Sequence, residues 1–206
     1  MIAENEVNLQ NMLNSMSSLC SKCRLTINSE KTQVVHFREK SELQTIHTFQ
    51  FGPVPLKYTR HYKYLGFVFD ENMKFTEGRK ILAESAGRAL GSVLSKIKLC
   101  IDLGFSTFTQ LYKYLVDSVL FYAAGVWGFE EVFDCNSVQN RALRCFLGVH
   151  KYAAKVAVNG DAGWDSCIVK QRCEMVRLWN RLVSLPEERL TRKNFNWDRV
   201  KYHPSR

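Results

Sequence analysis

The chain has 206 residues, enough for one large domain or two small ones with hydrophobic cores. Hydrophobic residues make up 46% of it, a share typical of folded rather than disordered proteins. Its 29 Lys and Arg against 20 Asp and Glu give a net charge of +9. This excess fits either a polyanionic partner, above all nucleic acid, or a role in solubility alone.

The first third of the chain has an α+β pattern. Apolar residues at helical spacing predict a helix over Asn5–Cys23. A polar turn is predicted at Asn28–Thr32, between the first two of several short strands. The predicted strands are Leu25–Asn28, Gln33–Phe37, Phe49–Phe51, Leu56–Tyr58 and Tyr62–Phe69.

After Asp70 the pattern becomes helical. A helix is predicted over Glu77–Cys100, with Lys80, Arg88 and Lys98 opposite its apolar side. The next helix has an apolar face that runs without a break from Phe108 to Ala123. Caps of the last three predicted helices are expected at Ser106, Asp134 and Asp165.

The ends of these helices are also predicted. The helix that begins near Asp134 should end at Gly148. The basic tail from Glu187 should be helical in part. The helix that begins near Asp165 should bury an apolar stripe against the rest of the protein. This stripe consists of Val169, Val176, Trp179, Leu182 and Val183.

Cysteine usage and the opening residues predict the compartment. The seven cysteines are odd in number and scattered along the sequence, so we expect free thiols. No secretory signal opens the chain, so we expect a protein that is not secreted and lies in the nucleus or the cytoplasm. Cys20 and Cys23 lack a second ligand pair at zinc spacing, so no metal site is expected. The apolar stretch Tyr114–Phe129 contains Asp117 and is shorter than the roughly 20 residues that span a bilayer, which predicts a buried helix and no membrane partner.

Three short segments follow one another in an informative order. They are Ile2-Ala-Glu-Asn-Glu6, Asn28-Ser-Glu-Lys31-Thr32 and Tyr64-Leu65-Gly66, and a run of helices comes after them. This order resembles the reverse transcriptases of non-LTR (LINE-type) retrotransposons, over most of the chain up to about Leu185. The chain departs from that family at Cys23, near which the family usually has a tryptophan.

The resemblance implies an α+β fold that is part of a polymerase. Residues 1–70 would be a palm remnant of short antiparallel strands plus one helix, and residues 71–206 a helical thumb and post-thumb region. In the family, a Tyr/Phe-Ala-Asp-Asp turn binds two Mg ions just before the Ala-Glu-Asn-Glu-like helix start. That turn would fall before Met1, so we expect a fragment with no catalytic residues, no metal and no cofactor of its own.

The resemblance also implies site residues. Lys31 would lie near the incoming nucleotide, and Tyr64, Leu65 and Gly66 would form a primer-grip-like hairpin. The expected contacts to the nucleic-acid backbone are Arg60, Lys63, Lys80, Arg88, Lys96 and Lys98. The expected partner is an RNA–DNA or DNA duplex held through its phosphates, and no specific protein partner follows. One alternative is a translated transposon relic with no independent function. Another is an enzyme fragment that complements a separate amino-terminal half of the polymerase.

Overall fold

The computed structural model describes residues 1–28, 30–97, 103–129 and 133–202. The chain divides into two units, Met1–Glu77 and Gly78–Arg206, which we call the first and second units. In the part of the chain that the structure describes, the first unit contains short strands and the helix α1 (Glu6–Lys22), and the second is helical. The fold is therefore mixed α+β, as the sequence predicts.

The first helix, α1, spans Glu6–Lys22, as predicted. Asn5 begins it because its side-chain oxygen accepts a hydrogen bond from the backbone N–H of Asn8 at 2.8 Å. Leu13 and Cys20, seven residues apart on one face, are buried. The helix is thus held by a narrow apolar stripe rather than by a broad face.

Six short strands follow among the described residues, and they form three separate pairs. They are β1 (Gln33–Val34), β2 (Gln50–Phe51), β3 (Val54–Pro55), β4 (Lys57–Tyr58), β5 (His61–Tyr64) and β6 (Phe67–Asp70). β2 pairs with β3 and β5 with β6 in antiparallel fashion, whereas β1 and β4 are parallel. The prediction of antiparallel strands is therefore wrong for one pair, because the segment between β1 and β4 is long enough for a crossover.

Two other strand predictions are wrong. Residues Leu25–Asn28 have no strand partner among the described residues. The predicted strand Tyr62–Phe69 is a hairpin, because Leu65 and Gly66 adopt positive φ and reverse the chain. Leu13, Val34, Phe49 and Leu56 form the small core to which α1 and the nearby strands contribute.

Helices make up the second unit. They are α2 (Thr76–Ile97), α3 (Phe105–Tyr112), α4 (Ser118–Leu120), α5 (Ala124–Trp127), α6 (Phe133–Leu147), α7 (Lys155–Ala162), α8 (Cys167–Ser184) and α9 (Leu190–Tyr202). A π turn over Lys113–Asp117 joins α3 to α4. The predicted unbroken face from Phe108 to Ala123 is thus interrupted, and Ala123 itself lies in the left-handed region at φ 56°.

Several helix ends differ from their predictions. Gly104, not Ser106, precedes α3, and Ser166, not Asp165, precedes α8, with no side-chain cap at either position. Asp134 lies inside the first turn of α6 rather than at its cap. α6 ends before Gly148, which has φ +65°, as predicted.

The buried stripe of α8 was predicted on the wrong side. Its buried residues are Cys167 and Gln171, whereas four of the five residues predicted inside are exposed, namely Val169, Val176, Trp179 and Val183. The fifth, Leu182, is half-buried. Contacts with α5 explain which side of α8 is buried. Gly125 in α5 lies next to Leu178, and Gly128 just after α5 lies next to Met175, one or two turns along α8 from Gln171 on the same side. α8 has two apolar stripes, and helical spacing alone does not distinguish them.

Aromatic side chains form the centre of the second unit. The rings of Phe108 and Phe146 stack at 4.3 Å, and that of Tyr112 lies 4.4 Å from Trp164. In the predicted buried stretch 114–129, Val116 and Trp127 are buried but Tyr114 and Phe129 are exposed. Within the described ranges, no helix is both long and apolar enough to cross a membrane.

Candidate nucleic-acid interface

The β5–β6 hairpin brings together five of the predicted site residues. Its two-residue turn consists of Leu65 at φ 48° and Gly66 at φ 90°. Two positive φ values match the twist that joins antiparallel strands in a tight hairpin. Glycine adopts this conformation without penalty, whereas a leucine there costs about 1 kcal/mol or more.

Aromatic side chains lie on one face of the hairpin. Tyr64 is opposite Phe67 and Tyr62 opposite Phe69, so one face is aromatic. Phe67 is buried, and its ring contacts that of Phe69 at 5.3 Å. At the tip, Tyr64 is 58% exposed and Leu65 is 73% exposed, so both are accessible to a partner.

Acidic groups partly neutralise the base of the hairpin. The Arg60 Nε lies 3.9 Å from an oxygen of Glu71, whose other oxygen is 3.2 Å from Arg38. His61 Nδ1 lies 3.4 Å from Asp70 across the strands. Lys63 is exposed and makes no ion pair with any described residue. Lys63 and the tip are therefore the parts of the hairpin best placed for an anionic partner.

Lys31 lies in the predicted polar turn. Its backbone N–H donates to the side-chain oxygen of Asn28 at 3.0 Å, and the Thr32 hydroxyl donates to the Asn28 carbonyl at 2.8 Å. The Lys31 side chain is exposed. The turn is thus defined by Asn28, and Ser29 lies outside the described residues.

The exposed side of α2 carries three of the predicted phosphate contacts. Lys80, Arg88 and Lys96 are exposed, and Lys98 lies outside the described residues. Glu84 is one turn from both Lys80 and Arg88, on the same side. Arg88 also donates to the Ser85 hydroxyl at 2.8 Å. This face therefore mixes charges, which lowers its attraction for a phosphate backbone.

A mostly buried ion pair lies beside a cavity of about 560 Å³ in the second unit. Lys170 Nζ is 2.7 Å from Asp117 Oδ2 and donates to the Gln139 side-chain oxygen at 3.0 Å. Rings of Tyr112, Phe121 and Trp164 lie 5.4 to 5.7 Å from the same ammonium. Burial raises the pKa of the Asp117 carboxyl, and Lys170 counteracts part of that rise. The described residues contain no group of three or more His, Cys, Asp and Glu side chains placed to hold a metal ion.

The structure also reveals a basic groove that the sequence analysis did not identify. It lies between α6 and α7, has a volume of about 1020 Å³ and is lined by four cationic side chains. They are Arg141, Arg144, Lys151 and Lys155. The spacing of Arg141 and Arg144, and that of Lys151 and Lys155, could have indicated two basic pairs in the sequence. The turn after Gly148 brings the two pairs together, and apolar spacing does not predict this.

These features define a two-unit α+β protein with an exposed aromatic and basic hairpin in one unit and a basic groove in the other. Comparisons with protein-family models, curated proteins and solved structures found no match for this chain.

Proposed function

We propose that this chain binds nucleic acid through sequence-tolerant contacts, as a palm and thumb fragment of a non-LTR retrotransposon reverse transcriptase. The order of the three segments named above supports the origin. The whole sequence contains no consecutive pair of aspartates, so the proposal does not include DNA polymerisation by this chain alone.

The conformation of Leu65 carries the proposal. A leucine with positive φ costs stability, and the side chain of this one is 73% exposed. Backbone strain of this kind concentrates where a partner is bound. Tyr64 and Lys63 beside it offer a ring for stacking on a base and a cation for a phosphate.

The proposal is tested by binding of the purified protein to an RNA–DNA hybrid at two salt concentrations. We expect affinity to fall as salt rises and to depend little on sequence, because the contacts are to phosphates. The variant Tyr64→Ala should weaken binding by about 5-fold or more, the loss typical of one stacked base. Tyr114→Ala is the matched control, because Tyr114 is also exposed but lies in the π turn of the second unit.

The alternative is a translated relic without an independent function. Large apolar side chains exposed in the first unit favour it, since such surfaces promote aggregation. They include Ile2, Leu25, Leu43 and Ile46. Insoluble protein, or soluble protein that does not bind the hybrid at low salt, would support the relic. Equal losses in the Tyr64 and Tyr114 variants would refute the role of the hairpin.

A further inference from the structure

We propose that the groove between α6 and α7 binds a single strand of nucleic acid through its phosphodiester backbone. The groove lies within the second unit and shares no residue with the β5–β6 hairpin. Its cations are Arg141 and Arg144 from α6, Lys155 from the start of α7, and Lys151 from the turn between these helices. Among the described residues that line it, none carries a carboxylate.

The groove has a fixed polar wall. Arg144 Nη2 donates to the Ala153 carbonyl at 2.8 Å, which ties the turn back to α6. Asn140 is 6% exposed, and its side-chain oxygen accepts from Asn159 Nδ2 at 3.5 Å, across from α7. Arg144 Nε and Asn159 Oδ1 are buried without a hydrogen-bond partner among the described residues. Buried polar atoms without partners are costly, and a bound polar ligand or water would satisfy them.

An exposed ring next to the groove indicates the form of the ligand. Tyr152 follows the lining residue Lys151 directly and is 79% exposed. The Lys151 ammonium lies 4.9 Å from the centre of that ring, and the ring of His150 lies 5.1 Å from it. A basic groove beside exposed rings is the arrangement that binds single strands, because unpaired bases stack on the rings while cations contact the phosphates. In a duplex only the terminal base pairs have a free face on which a ring can stack, whereas every base of a single strand can stack, so a ring beside a continuous groove favours a single strand.

The first experiment compares two triple variants of the full chain for binding of a mixed-sequence single-stranded RNA by fluorescence anisotropy. The groove variant is Arg141→Gln/Lys151→Gln/Lys155→Gln. The control, Arg181→Gln/Arg189→Gln/Lys193→Gln, removes the same charge from exposed side chains at the end of α8 and the start of α9, which have no part in either proposed contact surface. Log affinity should fall with log salt by about 0.7 per phosphate contact, so the groove variant should lose about 2 from this slope and the control should keep it.

A second experiment locates the bound strand without any variant. Cys145 lines the groove and is exposed, as are Cys23 and Cys173 elsewhere. The bound RNA should protect Cys145 from alkylation but leave Cys23 and Cys173 reactive. Cys135 and Cys167 are internal controls for folding, because burial raises the pKa of each thiol to about 12 and keeps them unreactive.

The outcomes separate this proposal from its competitors. Equal losses in both triple variants, or RNA that binds without protecting Cys145, would overturn it. Protection by inorganic phosphate alone to the same extent would make the groove a small-anion site, and protection by phosphatidylserine vesicles but not RNA would make it a membrane contact. The Tyr64→Ala variant should retain full protection of Cys145, so failure of the hairpin proposal would not affect this result.

Discussion

The Asp117–Lys170 pair shows how much a single side chain can determine in the second unit. Lys170 is held by Asp117, by Gln139 and by three aromatic rings, and its side chain is only 22% exposed. Removing the ammonium would leave the Asp117 carboxylate mostly buried without its cation. Breaking a buried pair from one side costs far more than replacing both partners, because an uncompensated charge remains.

We therefore expect Lys170→Met to lower the free energy of unfolding by about 3 kcal/mol at neutral pH, the lower end for buried pairs because Lys170 retains some exposure. The double variant Asp117→Leu/Lys170→Met should recover most of the loss. Urea denaturation followed by Trp fluorescence would measure both. A loss in the double variant as large as in the single one would contradict the argument.

The same variant should show a defined pH dependence. Burial already raises the pKa of Asp117, so the native protein holds its proton more tightly than the unfolded chain does. Stability therefore falls as pH rises from the ordinary Asp pKa, about 3.9, through the raised native value. Without Lys170 that native pKa should rise further, and the loss of stability between pH 4 and pH 7 should be larger in Lys170→Met than in the wild type.

Among the elements, the β5–β6 hairpin combines a stability cost with a surface for binding. Leu65→Asn should stabilise the hairpin by about 1 kcal/mol, because asparagine tolerates positive φ and Asn-Gly is the preferred two-residue turn. Hydrogen exchange of the hairpin amides would measure this gain. If Leu65 contacts nucleic acid, the same variant should weaken binding of the RNA–DNA hybrid. A variant that is less stable than the wild type would contradict the account of the turn.

The contact between α5 and α8 depends on glycine. A Cβ atom at Gly125 would lie 2.9 Å from the Leu178 Cβ and 3.2 Å from the Glu174 carbonyl oxygen. Gly125→Ala should therefore force the helices apart and cost about 1 to 3 kcal/mol. Gly91→Ala is the matched control inside α2, where nothing lies within 4 Å, and it should stabilise by about 0.5 to 1 kcal/mol. Thermal unfolding of both variants checks the opposite signs.

Sequence patterns predicted elements well where one signal dominated. The extent of α1 followed from apolar spacing, and the end of α6 followed from Gly148. Apolar spacing failed to predict the structure where one helix has two possible apolar faces, or where the backbone departs from a regular α-helix. The buried side of α8 is such a case, because packing of α5 determines it. The π turn at Lys113–Asp117 is another, because apolar spacing predicts a continuous helix there.

The candidate sites were predictable only where their residues are consecutive in sequence. Tyr64, Leu65 and Gly66 lie together in a turn, so their proximity required no tertiary structure. The groove was missed because its cations come from α6, α7 and the turn between them, and α7 itself was not predicted. The sequence also shows Glu84 between Lys80 and Arg88 on the exposed side of α2, and its negative charge lowers the attraction of that side for phosphates.

At the scale of the whole molecule, the positive charge is unevenly divided. Residues 1–77 contain 9 Lys and Arg against 8 Asp and Glu, a net charge of +1. Residues 78–206 contain 20 against 12, a net charge of +8. The long-range attraction for a polyanion therefore originates almost entirely in the second unit, whereas the hairpin of the first unit can contribute mainly short-range stacking.

The two units should also differ in resistance to opening. The first has strands of two to four residues and a small core around Leu13 and Phe49, so few backbone hydrogen bonds are shielded by apolar contacts. The second has longer helices, α6 and α8 among them, and an aromatic cluster that includes the buried Phe108 and Tyr112.

Native-state hydrogen exchange in low urea should therefore show amides of β1 to β4 exchanging at a lower free energy than those of α6 and α8. The variant Lys170→Met should lower the exchange free energy of α8 and leave that of β1 to β4 unchanged, since the pair lies wholly in the second unit. If β1 to β4 exchange only at the free energy of global unfolding, the small core of the first unit is more stable than its short strands imply. The stability of the chain would then be uniform rather than divided at Glu77.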